Sequence, residues 1–189
     1  MGSKNKLKRF RENETFGNVF QPTREDIVDT VFPLKGNWNK EVFKNDNPIV
    51  LELGCGKGEY SVGLAARYPE KNFIGIDIKG ARFWRGAKTA VENGLNNVAF
   101  IRTQIELIED VFAENEVSEI WITFPDPQIK YKRTKHRLTN AEFLQRYKKI
   151  LNETGVVNLK TDSEFMHGYT LGLLHGEGHE VIYANHDVY

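Results

Sequence analysis

Leu51-Glu52-Leu53-Gly54-Cys55-Gly56-Lys57-Gly58 completes an apolar run that starts at Ile49 and leads into a helical pattern from Glu59 to about Tyr68, stopped by Pro69. A buried strand, a glycine turn and a helix in this order open a parallel α/β unit. The glycines let the backbone turn tightly and approach a ligand, and the helix start offers unpaired amides. The spacing is G-x-G-x-G. The dinucleotide fingerprint G-x-G-x-x-G needs a glycine where Glu59 stands. A pyrophosphate would also sit poorly beside Glu52, which suits a ligand carrying an amino group.

Toward the C-terminus the alternation continues. Strands are expected over Asn72 to Ile76, Val98 to Arg102, Glu119 to Phe124, Gly155 to Lys160 and His179 to Ala184. Helices are expected over Ala81 to Glu92, Ile105 to Phe112, from Thr139 onward, and from Ser163 to about Leu174, with Thr139 and Glu142 at capping-box spacing. Short connections between alternating elements imply an α/β fold, a mostly parallel sheet with helices on both faces, which takes ligands at the carboxyl ends of its strands. Toward the N-terminus, residues 1–48 lack this rhythm and read as a partly ordered arm. The expected organisation is a basic arm and lead-in over residues 1–44 and one domain over 45–189.

Composition narrows the class. The chain has 189 residues, of which 40% are hydrophobic, 12% aromatic and 28% charged, values that fit one soluble domain and exclude a disordered chain. No apolar run approaches the roughly 18 residues of a membrane span, and the basic N-terminus leads into no secretory signal. Cys55 alone forms no internal disulfide and no cysteine zinc cage, so a reducing cytoplasm is expected. His167, His175 and His179 lack partners at ligand spacing, and no metal is expected. The formal net charge is zero, yet the charge is segregated. Lys4, Lys6, Lys8, Arg9 and Arg11 form one acid-free run; Lys130, Lys132, Arg133, Lys135 and Arg137 form another.

Three further positions fall at strand ends. Asp77 follows the second strand, where a carboxylate can accept both ribose hydroxyls of an adenosine. Thr103 or Gln104 follows the third, and the Gln104 amide oxygen can bond an adenine amino group. After the fourth strand comes Phe124-Pro125-Asp126-Pro127, whose two prolines stiffen the loop that presents Asp126. The basic run ending in Arg137-Leu138 follows at once, beside the expected ligand mouth.

The glycine segment resembles motif I of class I S-adenosylmethionine-dependent methyltransferases. F-P-D-P with its Lys/Arg/His-rich loop resembles, more specifically, the bacterial single-subunit tRNA (guanine-N7)-methyltransferases, as does Leu159-Lys160-Thr161-Asp162. The resemblance spans about residues 45 to 175. It implies a class I Rossmann-like fold, S-adenosylmethionine as cofactor with S-adenosylhomocysteine as product, and tRNA as partner. The methyl acceptor it implies is guanine N7 at variable-loop position 46. Carried over, Glu52, Gly54, Gly56, Gly58, Asp77, Gln104 and Asp126 correspond to cofactor-contacting positions, with Asp126 also catalytic. Lys130 and Asp162 correspond to substrate-contacting positions, and Lys132, Arg133, Lys135 and Arg137 are expected to hold phosphates. The N-terminal arm corresponds to a tRNA-binding arm. The sequence departs from the family pattern at Gln104, where an acid is usual, and at Gln128-Ile129, where Trp-Pro is usual. Tyr189 precedes the family's T-x-Y-E element, so the final antiparallel strand is expected to be missing. Alternative readings are a methyltransferase for another RNA or a small molecule, and a non-catalytic RNA-binding module. The oligomeric state, monomer or homodimer, stays open.

Overall fold

The computed structural model describes residues 3–186; residues 1–2, the side chains of Ser3 and Lys4, and residues 187–189 at the end of the expected domain lie outside the described part. The glycine segment is central. β2 (Ile49–Leu53) lies between β3 (Asn72–Ile76) and β5 (Val117–Thr123), and all of its residues are buried. It reads as a near-continuous apolar run because both its faces are covered. Ile49, Leu51 and Leu53 enter one core, and Val50 enters the core on the opposite face, as the strand period of two requires. Beyond β3 lie β4 (Val98–Ile101) and the short β1 (Val19–Phe20); beyond β5 lies β6 (Leu151–Lys160). The six strands run in the order β1-β4-β3-β2-β5-β6, with every pairing parallel.

α3 (Glu59–Arg67) and α4 (Gly80–Glu92) cover one face, with Phe83 stacked on Phe100 at 5.5 Å between ring centroids. α5 (Ile108–Val111), α6 (Ala141–Ile150) and α7 (Glu164–Gly176) pack on the other. The chain leaves β2 toward β3 and β4, then returns to β5 on the other side. That reversal of strand order puts the crevice for a ligand at the carboxyl end of β2.

Three expectations are corrected. The lead-in is ordered: β1 pairs with β4, α1 (Ser3–Asn13) docks on α4, and a π-helical turn over Trp38–Phe43 buries Trp38 completely. The Trp38 indole donates to the Val111 carbonyl at 3.2 Å and meets the rings of Phe20 and Phe112, so aromatic anchors fix a segment that has no helical or strand period. The second correction concerns the helix from Thr139, which is capped by Asn140; its side chain accepts from the Phe143 amide at 2.9 Å, while the Thr139 hydroxyl pairs with Thr170 at 2.7 Å in the core. Lastly, the described part of the chain has no strand over His179 to Ala184, where Ile182 and Tyr183 are exposed.

Candidate active site

The turn after β2 is fixed by the neighbouring strand. The Gly54 and Cys55 amides donate to the Ile76 carbonyl at 2.8 and 3.0 Å, and the Gly56 amide donates to Asp77 Oδ2 at 3.0 Å. Gly54, Gly56 and Gly58 have φ of +71°, +56° and +74°, the left-handed region that favours glycine. Their surroundings differ. A Cβ on Gly54 would meet nothing within 4 Å, which leaves the backbone open to a ligand. A Cβ on Gly58 would come within 2.5 Å of the Phe100 ring, so this glycine faces the interior and serves the approach of α3 to the sheet. Cys55 fills the turn, and burial raises its thiol well above the usual range, which leaves it an unreactive packing residue.

Glu52 is buried at 5% exposure and sits under the start of α3. One of its carboxylate oxygens accepts from both the amide and the hydroxyl of Ser61, the third residue of α3, and the other accepts from the Thr123 hydroxyl at 2.7 Å. Gly58, at the N-cap, has no side chain to give, so a carboxylate from the adjoining strand faces the helix N-terminus instead. Burial raises the Glu52 carboxyl above its ordinary value against the pull of the Ser61 and Thr123 hydrogen bonds. With an acid already at this helix end, a pyrophosphate meets repulsion where a cationic ligand gains a partner. Sequence reasoning missed Ser61 and Thr123; a hydroxyl at the third helical position after a glycine turn was the available signal.

Asp77 is also engaged. Besides the Gly56 amide, it accepts from the Lys79 amide at 2.8 Å through its other oxygen. Next to it lies a pocket of about 140 Å³, lined by Ile78, Thr103, Gln104 and Leu107 from the sheet ends and by Arg24 and Ile27 from α2 (Arg24–Val28). Its lining mixes apolar side chains with amide and hydroxyl groups and with two arginines, Arg24 and Arg102; apolar surface with a few polar groups suits a flat heterocycle. The Gln104 amide oxygen accepts from the Arg24 guanidinium at 3.1 Å, a partner the sequence did not disclose.

The end of β5 carries the other half of the mouth. Phe124 and Gln128 have φ of +47° and +46°, a conformation unusual for residues other than glycine, and they bracket Asp126. Each such residue costs about 1–3 kcal/mol and persists only where its surroundings hold it. The Phe124 amide is held by the Lys160 carbonyl at 2.7 Å, and the Gln128 amide donates to Asp126 Oδ1 at 3.2 Å. Asp126 is exposed at the mouth, and Asp162, also exposed, follows β6 on the adjacent loop. Lys130, Lys132, Arg133 and Lys135 lie on and just before a 3-10 helix over Tyr131–His136, all exposed, and none takes part in a salt bridge among the described residues.

Arg137 departs from expectation. It is 5% exposed, donates to the Gln128 and Ile129 carbonyls, and lies over the rings of Phe165 and Tyr169 on α7. A guanidinium enclosed in this way is not presented to a phosphate. Among the described residues no group of three or more His, Cys, Asp or Glu is placed to hold a metal ion, and no helix is long and apolar enough to cross a membrane.

Known proteins match this arrangement. The model of a family described as "Putative methyltransferase" matches residues 46–186. The tRNA (guanine-N(7)-)-methyltransferase of Christiangramia forsetii is 78% identical over 189 residues, covering 100% of this chain and 84% of the relative. The protein of the same name from Bacteroides fragilis is 52% identical over 186 residues, covering 98% of this chain and 73% of the relative. A solved structure described as an antibiotic related methyltransferase superposes with a TM-score of 0.57 at 17% identity, covering 77% of each chain, a likeness of fold alone. The strand order, the glycine turn and these relatives agree: the chain belongs to the tRNA (guanine-N7)-methyltransferase family.

Proposed function

We propose that the protein transfers a methyl group from S-adenosylmethionine to N7 of a guanine in tRNA, forming 7-methylguanosine, and that its target is the variable-loop guanosine at position 46. The observation that carries this reading is the end of β5, where left-handed turns at Phe124 and Gln128 bracket an exposed Asp126, followed in the chain by Lys130, Lys132, Arg133 and Lys135, all exposed and without a salt bridge among the described residues. Glu52, the open backbone at Gly54 and Gly56, Asp77, Gln104 and Asp126 would hold the cofactor; the open face of Gly54 and the pocket beside Asp77 fit it. When bound, it supplies a sulfonium methyl group, which needs no further activation.

Guanine N7 carries a free lone pair, so no proton has to be removed before transfer and no general base is required. The protein's task is to hold the acceptor in line, which contributes on the order of 7–11 kcal/mol. Asp126 and Asp162 would accept from the N1 and N2 donors of the guanine and face the positive charge that develops on the base. N7 lies on the major-groove edge, which side chains do not reach in an A-form helix, so the target base must stand open. Lys130, Lys132, Arg133 and Lys135 would hold the flanking phosphates.

We assign residues 1–44 to a tRNA-binding arm and residues 45–189 to the transferase domain. α1 exposes Lys6, Lys8 and Arg11, while Glu12 ties it to Trp84 and Lys88 of α4 at 3.0 and 3.3 Å. Acting on tRNA places the protein in the cytoplasm. The test is incubation with methyl-labelled S-adenosylmethionine and an unmodified tRNA transcript, followed by chain cleavage at 7-methylguanosine. One labelled site at position 46, lost in a transcript carrying adenosine there, is the expected result. Label in a small-molecule acceptor, or none in tRNA despite cofactor binding, would overturn the proposal.

A further inference from the structure

We infer that Arg137 is a positioning residue that sets the orientation of Asp126, a role that rests on the proposed function of Asp126 in methyl transfer. Three hydrogen bonds and two aromatic rings converge on its guanidinium. Nε and Nη2 donate to the Gln128 carbonyl at 3.2 and 3.1 Å, and Nη2 also donates to the Ile129 carbonyl at 3.2 Å. On the other side the group lies 4.3 Å from the ring centre of Tyr169 and 4.8 Å from that of Phe165. The planar fork of an arginine meets both demands at once, bonding carbonyls along its edge and stacking on aromatic rings with its face.

The carbonyl it grips belongs to a residue in an unfavourable conformation. Gln128 has φ of +46°, and its amide is the one that donates to Asp126 Oδ1. A continuous path therefore runs from the rings of α7 through the guanidinium to the Gln128 peptide and on to the carboxylate. Charge-assisted hydrogen bonds hold Gln128 in its left-handed turn, and the turn aims the amide that orients Asp126. Within the basic run, Arg137 thus differs from its neighbours: Lys132, Arg133 and Lys135 face solvent, whereas Arg137 is enclosed.

The test compares Arg137→Lys, Tyr169→Leu and Asp126→Ala with the wild type. Lysine keeps the charge but cannot bond two carbonyls as a fork or present a plane to the rings. Arg137→Lys is expected to lower kcat by about 10- to 100-fold, the scale of a misplaced catalytic group. The KM for tRNA stays within about twofold, and the dependence of tRNA binding on salt is unchanged. Were Arg137 a phosphate ligand, lysine would keep the charged contact and kcat would stay normal; that result overturns the proposal. So does a lowered melting temperature with normal kcat, which marks a purely structural role. Should Arg137→Lys fail to fold, Tyr169→Leu, which leaves the carbonyl bonds possible, decides: a smaller fall in kcat at unchanged KM supports the proposal, and an unaltered kcat overturns it. Asp126→Ala separates the two levels. Full turnover in that variant removes the role of Asp126 and the Arg137 proposal with it, whereas loss there beside normal turnover in Arg137→Lys refutes the Arg137 role alone.

Discussion

At the ends of β2, β3 and β4 the polar groups of the mouth already have partners. Glu52 is bonded to Ser61 and Thr123, Asp77 to the Gly56 and Lys79 amides, and Gln104 to Arg24. At the ends of β5 and β6, Asp126, Lys130, Lys132, Arg133, Lys135 and Asp162 face solvent, and the turns around Asp126 are strained. The difference corresponds to the size of what each side would receive. A small cofactor gains most from a pocket formed in advance, because ordering the site on binding would subtract from its affinity. A folded RNA brings its own charge and shape, and cations left unpaired toward solvent need not break an internal bond to meet it.

The strongest way to break this division is at Asp126. Asp126→Asn is expected to lower methyl transfer by at least about 100-fold, the scale of a lost charge-stabilising group. An exposed loop carboxylate contributes little to folding, so the melting temperature should hardly move; a variant that melts early with normal turnover would assign Asp126 to structure. Next in size is the joint replacement of Lys132, Arg133 and Lys135 by alanine. Summed over three phosphate contacts, it should flatten the salt dependence of tRNA binding by about 2–2.7 log units per log salt. An unchanged slope would show that the loop does not touch the backbone of the RNA.

The smallest effect lies at Glu52 and concerns stability. Burial raises this carboxyl in the folded chain above its unfolded value, so the native state holds the proton longer and stability declines as pH rises through that interval. Glu52→Gln has no proton to lose and should remove that decline. Denaturant midpoints are expected to show the variant gaining on the wild type as the pH is raised from below the ordinary carboxylate value of 4.5 to neutrality, while its affinity for S-adenosylhomocysteine falls. An equal loss of stability at both pH values would mean that the bonds to Ser61 and Thr123 outweigh the cost of burial.

Much of the fold and part of the mouth were legible in the sequence, for a common physical reason. Asn72 to Ile76 and Ile49 to Leu53 are strands buried on both faces, and such strands read as continuous apolar runs. The glycine turn was legible because left-handed backbone leaves a residue signature. The lead-in was not: its order comes from Trp38 and from a two-residue strand, neither of which makes a period. His179 to Ala184 shows the converse, since a β-forming composition specifies a strand only where a neighbouring strand pairs with it. Arg137 could not be told from the cations before it, because Phe165 and Tyr169 lie far along the chain and only folding brings them together. Pairing of the site's own groups, such as Glu52 with Ser61, is likewise tertiary.

Whether the two sides of the mouth work separately is decided by calorimetric titration of S-adenosylhomocysteine. It would be run on the wild type, on Asp77→Asn and on the Lys132, Arg133 and Lys135 alanine variant. Asp77→Asn is expected to weaken binding about tenfold, or 1.4 kcal/mol, while the triple variant binds within about twofold of the wild type. Equal weakening in both variants, or weakening in the triple variant alone, would contradict that separation.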